Sequence, residues 1–344
     1  METPLPEREE GFSPGDVCDG YRIVSLIAKG GMGDVYEAVH EASGRVIALK
    51  CLKMTHLRKD DARARMKMEA IVLSELQHAN LVQVYDGGMN ERGMVWIAME
   101  RLHGQTLRQL LHRARRLPVP EALFYASEIA EGVDAVHELN VIHRDLKPEN
   151  VFITRGNEVK VLDLGTGKFA GYALHATDRM KVVGTTAYMS PEQIRGLRID
   201  ARADVYALGL MIYEMIAGRH PLAQKGAPAL SGAPEQIALL QLEAIPQKLS
   251  ELVADCPSHV VKIVHRAIAK DRDDRPATMT ELGRELRVAR KRFIAERGLD
   301  DPLGRKMVKG EQLRDKLGAP GPPISHSSVT HTHEPESRDR VADI

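Results

Sequence analysis

Alternation of apolar and polar positions is the first signal along this chain. From Tyr21, the residues Tyr21, Ile23, Ser25 and Ile27 fall on one face of an extended strand, and Arg22, Val24 and Leu26 fall on the other. A glycine-rich run, 29–33, follows. Residues 34–40 and 45–53 have the β-branched and apolar content of two more strands, and 41–44 reads as the hairpin turn between them. Consecutive strands at the head of a chain predict an antiparallel sheet. The period then changes. Over 59–77, Ala62, Met66, Ala70 and Leu73 share one helical face, and Glu69 borders it. Two further strands are predicted at 81–85 and 94–99.

After about residue 104 the pattern is mainly helical. Residues 121–139 carry Ala122, Ala126, Ile129, Ala130, Val133 and Val136 at helical spacing, behind a proline, Pro120, suited to a first turn. Residues 204–217 are apolar nearly all round, the mark of a buried central helix. Residues 278–297 predict a long charged helix. From 298 onward the periodicity stops, and 318–344, rich in Gly, Pro, Ser, His and charge, is predicted to be disordered. Residues 1–20, with Pro4, Pro6 and Pro14, read as a flexible lead-in. There is no internal repeat.

Composition narrows the function. Of 344 residues, 43% are hydrophobic, enough for a real core. Lys plus Arg and Asp plus Glu are 48 each, so no net charge favours nucleic acid or an anionic membrane. Cys18, Cys51 and Cys256 are scattered and odd in number, which suggests neither a disulfide framework nor a metal cluster and fits a reducing cytoplasm. No basic segment leads into an apolar run at the N-terminus, and the longest apolar stretch, near 205–217, is short for a bilayer and contains Glu214. A soluble cytoplasmic protein is expected, with no membrane insertion and no nucleic-acid partner. The tail histidines His326, His331 and His333 read as incidental rather than as metal ligands.

The candidate chemistry centres on residues 143–150, His-Arg-Asp-Leu-Lys-Pro-Glu-Asn. One short turn there can accept a hydroxyl proton on Asp145, hold a phosphate with Lys147 and bind a metal through Asn150. The run Ala28-Lys29-Gly30-Gly31-Met32-Gly33 lies between two strands, where missing side chains let backbone N–H groups approach phosphate oxygens. Lys50 ends the apolar stretch Ile47-Ala48-Leu49. Buried there it needs an anionic partner, and Glu69 on the next helix fits in position and facing. A further strand run, 159–162, leads into Asp163.

These blocks, in this order, resemble the protein kinases, and over about residues 21–295 the chain is similar to the bacterial eukaryotic-like (Hanks-type) serine/threonine group. The resemblance implies an α+β, bilobal protein-kinase fold. A strand-rich lobe of an antiparallel sheet and one helix would span 21–99. A hinge would cover 100–104, a mainly helical lobe 105–295 and a polar tail 296–344. It implies ATP as phosphoryl donor, Mg2+ (or Mn2+) as the metal, and proteins as acceptors. Asp145 would orient the acceptor hydroxyl, and Lys147 would neutralise the moving phosphoryl group. Lys50, paired with Glu69, would hold the α- and β-phosphates. Asn150 and Asp163 would carry the metal. Ile27, Ala28, Lys29, Gly30, Gly31, Met32, Gly33, Val35, Ala48, Met99, Glu100 and Leu102 would line the nucleotide, with Met99 as gatekeeper.

The resemblance also implies structural roles. Glu192 would pair with Arg275, and Asp204 would anchor the catalytic loop. Arg144, next to the catalytic aspartate, calls for an anion, which a phosphate on Thr177 would supply; Thr185 would contact Asp145 and Lys147. A homodimer through the strand-rich lobe is a further expectation. The chain departs from the family pattern at Ala28, where a glycine is usual, and at Leu164, where phenylalanine is usual. A non-catalytic scaffold of the same fold is disfavoured by the intact Lys50, Glu69, Asp145, Asn150 and Asp163. A small-molecule phosphotransferase is disfavoured by the segment 184–192, which suits presentation of a protein chain.

Overall fold

The period-two segments assemble into one antiparallel sheet. In the computed structural model, β1 (Val17–Cys18), β2 (Tyr21–Lys29), β3 (Gly33–His40), β4 (Val46–Leu52), β5 (Val84–Met89) and β6 (Val95–Glu100) lie in the order β1-β2-β3-β4-β6-β5. The structure describes residues 11–30, 33–52, 76–90, 94–163, 186–223, 230, 232–301 and 303. The helix expected over 59–77 therefore lies almost wholly outside the described residues, as does most of the tail.

The two faces of this sheet differ. Along β4, Ile47, Leu49 and Cys51 point to one side, where they form a small core with Tyr21, Ile23, Tyr36, Ala38, Trp96 and Ala98. Ala48 and Lys50 point to the other side. The lead-in covers the first side. Phe12 N donates to Tyr36 Oη at 3.1 Å, and the two rings meet edge to face with centroids 5.8 Å apart. Gly15 N donates to Ile23 O and Ile23 N to Asp16 O, at 2.9 and 2.8 Å. Trp96 Nε1 donates to Asp19 Oδ2 at 2.6 Å. Residues 11–20, expected to be flexible, are thus a fixed cover, because three large aromatic rings on that face gain by leaving water.

A second difference concerns β2. Its alternation holds for Tyr21 and Ile23 and then breaks at register shifts between Ile23 and Ser25 and between Leu26 and Ala28. Bulges re-aim side chains, and Ser25 and Ile27, which alternation places with Tyr21 and Ile23, are exposed. The strand expected from 81 begins at Val84, and Leu81 instead makes an isolated parallel bridge to Val161.

Beyond β6 the chain enters the helical lobe. Strands β7 (Gly104–Thr106), β8 (Val151–Thr154) and β9 (Val159–Val161) form a small antiparallel sheet. The longer helices are α1 (Leu107–Ala114), α2 (Val119–Glu138), α4 (Arg202–Ala217), α5 (Pro234–Glu243), α7 (Ser258–Ala267) and α8 (Met279–Arg297). Two single turns, α3 (Pro191–Ile194) and α6 (Leu249–Leu252), lie among them. The side chains of α4 are buried from Ala203 to Ile216, which explains its apolar circumference. At Gly209 a Cβ would sit 2.7 Å from Ile268 and 2.8 Å from Ala267, so α4 meets the end of α7 at backbone distance. Thr278 caps α8 by accepting from Glu281 N. Among the described residues no helix is long and apolar enough to cross a membrane.

Candidate active site

The cleft face of the sheet and the segment just after β9 meet at one place. Lys50 Nζ, from β4, donates to Asp163 Oδ1 at 2.6 Å across the two lobes. Lys50 is 7% exposed, so its charge requires this partner. Burial raises the Asp163 pKa most. The adjacent Lys50, then His143 and Lys147, outweigh it and hold the carboxyl below its ordinary value. Glu69, the partner expected for Lys50, lies outside the described residues.

The octapeptide closes on itself around Asp145. Lys147 Nζ donates to Oδ1 and Oδ2 of Asp145 at 2.9 and 2.8 Å. Asn150 Nδ2 donates to Asp145 O at 2.8 Å and to Oδ2 at 3.1 Å. Leu162 N donates to Asn150 O at 2.8 Å, which sets the start of the Asp163 segment against the loop. Two residues here have left-handed backbones, Arg144 at φ 66° and Asp163 at φ 56°. Such a conformation costs roughly 1–2 kcal/mol for a residue with a Cβ and persists where its surroundings fix it.

Asp204, at the start of α4, does that fixing for Arg144. Its Oδ1 accepts from Arg144 N at 2.9 Å, and its Oδ2 accepts from His143 N at 2.8 Å. His137 Nε2 shares Oδ2 at 2.7 Å. Burial pushes this carboxyl's pKa up, but the bond from His137 and the neighbouring His143 and Arg144 N–H pull it below the usual range. His143 Nε2 also meets Leu162 O at 3.0 Å. The anchoring position expected for Asp204 is therefore the one observed. His137 is a partner that spacing on a helix did not reveal.

The residues expected to line the nucleotide follow the sheet register. Val35 pairs with both Ala28 and Lys50, Lys29 pairs with Asp34, and Ala48 pairs with Met99. Val35, Ala48 and Lys50 therefore share the cleft face. Gly30 N donates to Asp34 Oδ1 at 3.3 Å. A Cβ on Gly33 would lie 2.4 Å from Cys51 O, so strand pairing alone demands glycine there. Ile27 is exposed at the edge of β2. Gly31 and Met32 lie outside the described residues.

At the end of β6 the Glu100 carboxylate accepts from Gln83 N at 2.8 Å and from Lys160 Nζ at 2.7 Å. Arg101 Nε donates to Glu37 Oε2 at 2.8 Å, and its NH1 reaches Leu102 O. The Arg101–Glu37 link across the cleft mouth joins residues 64 positions apart, and no local pattern signals it.

The segment around Glu192 reaches the same loop, where Gln193 Nε2 donates to Arg144 O at 3.0 Å. Arg275 NH1 and NH2 donate to Glu192 Oε1 and Oε2 at 2.8 and 3.0 Å, the expected pair. Arg108, from α1, donates to Glu149 Oε1 at 2.8 Å, to Glu214 Oε1 at 2.7 Å and to Tyr188 Oη at 2.6 Å. Arg144 Nε is buried without a hydrogen-bond partner among the described residues. Thr177 and Thr185 lie outside them. Among the described residues no group of three or more His, Cys, Asp or Glu forms a metal cage. Asp163 and Asn150 offer hard oxygen donors to an ion that takes its remaining ligands from phosphate and water, as Mg2+ does.

Comparison with known proteins decides the family. The family model for the protein kinase domain matches residues 21–285. The chain belongs to the protein kinase family. Within it, the chain falls in the bacterial serine/threonine group. It is 36% identical over 300 residues to the serine/threonine-protein kinase pkn3 of Myxococcus xanthus, covering 85% of this chain and 53% of that one. It is 33% identical over 304 residues to a probable serine/threonine-protein kinase of Streptomyces coelicolor, covering 87% and 43%. The crystal structure of the Mycobacterium tuberculosis PknI kinase domain superposes with a TM-score of 0.63 at 26% identity, over 81% of this chain and all of that one. This kinase chain spans about half the length of the curated relatives it matches.

Proposed function

We propose that this kinase transfers the γ-phosphoryl group of ATP to serine or threonine hydroxyls of proteins. The observation that carries the reading is the meeting of Lys50, Asp163, Asp145, Lys147 and Asn150 at the junction of the lobes. Lys50 binds and orients the α- and β-phosphates in place of its bond to Asp163. Val35 and Ala48 cover the adenine. The backbone of Glu100 to Leu102 meets its edge. Asp163 and Asn150 hold Mg2+, which when bound neutralises charge on the phosphates. Asp145 accepts or orients the hydroxyl proton of the acceptor, and Lys147, already against Asp145, stabilises charge on the transferred group. Positioning and electrostatics then account for the rate.

The test is phosphate transfer from labelled ATP to a generic protein acceptor in the presence of Mg2+. Asp145→Asn and Lys50→Met should each abolish transfer while leaving the melting curve in place. Activity near wild type in either variant rejects the assignment. Transfer to small alcohols or aminoglycosides in preference to protein would instead indicate a small-molecule phosphotransferase.

Regulation follows from Arg144. Its Nε, buried and without a hydrogen-bond partner among the described residues, supports a phosphate on Thr177 as the activating anion, added by the enzyme itself. Thr185 would contact Asp145 and Lys147. Phosphopeptide mapping after incubation with ATP tests this, and an unmodified Thr177 in fully active enzyme rejects it. A cytoplasmic signalling role suits the absence of a membrane-crossing helix among the described residues. A homodimer through the strand-rich lobe, where Val24, Leu26 and Val46 are exposed, is a further part of the proposal. Sedimentation of the chain with each changed to Ser tests it.

A further inference from the structure

Two buried polar side chains of the helical lobe converge on one backbone atom. His220, just past the end of α4, is 2% exposed, and Gln241, on α5, is fully buried. Polar groups are costly there unless their bonds are made. Both direct a bond at the carbonyl oxygen of Ala187. His220 Nε2 lies 3.0 Å from it, and Gln241 Nε2 donates to it as well. The neighbours fix both donors. Leu222 N donates to His220 Nδ1 at 3.2 Å, and burial pulls the ring pKa down to about 3, so the imidazole is neutral with its proton on Nε2. Lys270 Nζ, which can only donate, bonds to Tyr206 Oη at 3.1 Å and to Gln241 O at 2.7 Å. The Tyr206 hydroxyl donates in turn to Gln241 Oε1 at 2.7 Å, which leaves Nε2 facing Ala187. Both lone pairs of the Ala187 carbonyl are thus filled from the interior of the lobe.

We propose that His220 and Gln241 are positioning residues for the protein acceptor: by holding Ala187 O they set where the segment from Ala187 to Gln193 stands relative to Asp145. The inference rests on the reading that 184–192 presents a protein chain. That segment is tied to the octapeptide at two points. Tyr188, the residue after the held carbonyl, meets His220 edge to face with ring centroids 5.4 Å apart. Its Oη accepts from Arg108, which also holds Glu149 of the octapeptide. Further along, Gln193 Nε2 donates to Arg144 O, next to Asp145. A shift of Ala187 therefore moves the surface that faces the acceptor against the loop that carries the reacting groups.

Transfer to a hydroxyl tolerates little misplacement, since about 1 Å can cost about 10²-fold. Held only from the octapeptide side, the segment would be free to tilt. His220 and Gln241 hold it from behind, from positions 33 and 54 residues away in the chain. Among the described residues neither bonds to Lys50, Asp145, Asn150 or Asp163. Their loss is therefore expected in acceptor binding and not in ATP binding.

The experiment measures steady-state kinetics of the full chain with myelin basic protein as acceptor, beside release of inorganic phosphate from ATP with no acceptor present. Gln241→Met and His220→Leu should each raise the KM for the acceptor about tenfold, the worth of one hydrogen bond. The double variant should raise it by more than the product of the two, because either bond alone still satisfies the carbonyl. The KM for ATP should stay at the wild-type value in both assays. His220→Gln, which keeps an N–H near the place of Nε2, should recover most of the acceptor KM. A KM does not depend on the fraction of a sample that is folded, so a variant that folds poorly still reports. An acceptor KM equal to wild type in both single variants overturns the positioning role. So does a KM for ATP that rises in step with it, or a His220→Gln as impaired as His220→Leu. A wild-type chain that transfers phosphate to no protein rejects instead the reading on which the role rests, and the role with it.

Discussion

Changing Arg275 to Met should remove a large share of the stability of the helical lobe. The Arg275 side chain is fully buried, and its guanidinium makes two bonds to Glu192. It also donates to the carbonyls of Ala269 and Lys270 at 2.8 and 3.1 Å and to Arg202 O at 3.1 Å, and it stacks 4.7 Å above the Tyr206 ring. Methionine fills part of the space but leaves a carboxylate and three carbonyls unpaired. Breaking a buried pair from one side costs about 3–5 kcal/mol, and at roughly 2–4 °C per kcal/mol the melting temperature falls by about 6–20 °C. The pH dependence has a definite sign. Burial raises the Glu192 pKa, but the bonds and charge of Arg275 outweigh it, so the folded value is depressed. The pair's contribution is therefore present above the unfolded carboxyl pKa, about 4.3, and is lost as pH falls through the lower folded value. Urea unfolding of wild type, Arg275→Met, Glu192→Gln and the double variant, at neutral and acid pH, measures this. The double variant should lose less than the sum of the singles. A midpoint for Arg275→Met equal to wild type, or strictly additive losses, would refute the reasoning.

Other outcomes follow from the same structure. Gly33→Ala places a Cβ 2.4 Å from Cys51 O and should lower the melting temperature and impair nucleotide binding, whereas a Cβ at Gly44 meets open space and leaves only left-handed backbone strain of roughly 1–2 kcal/mol; thermal melts of both alanine variants compare them. Arg101→Ala and Glu37→Ala should each raise the KM for ATP several-fold with little change in kcat, and the charge swap should restore it; steady-state kinetics check this, and unchanged KM values dismiss a nucleotide role for the link. Asp204→Asn should lower kcat by about 10²-fold through release of the left-handed Arg144 backbone, with a smaller effect on the KM for ATP, measured in the same assay.

Much of the architecture was legible because it rests on local periods. The strands β3, β4 and β6 alternate or carry β-branched runs. Helix α4 is apolar on all sides because it is wrapped on all sides. The octapeptide holds its chemistry within eight residues, so Asp145, Lys147 and Asn150 could be named together, and their bonds to one another are short-range in sequence. The cover over 11–20 was not legible. Its proline and glycines suggest flexibility, and only the aromatic face beneath it explains why Phe12 and Cys18 are held down. The exposure of Ile27 was also hidden, because a bulge changes facing without changing composition.

The amino-acid sequence by itself determined the order of elements, the octapeptide loop and the candidate lysine and aspartate beside it, since each depends on residue types at fixed short spacing. The tertiary structure decided which groups meet across long separations: Lys50 with Asp163, Arg101 with Glu37, and Arg108 with Glu149 and Glu214. Those pairings depend on how sheet, hinge and helices pack, and a charge carries no sign in its neighbours of the partner that packing will bring to it.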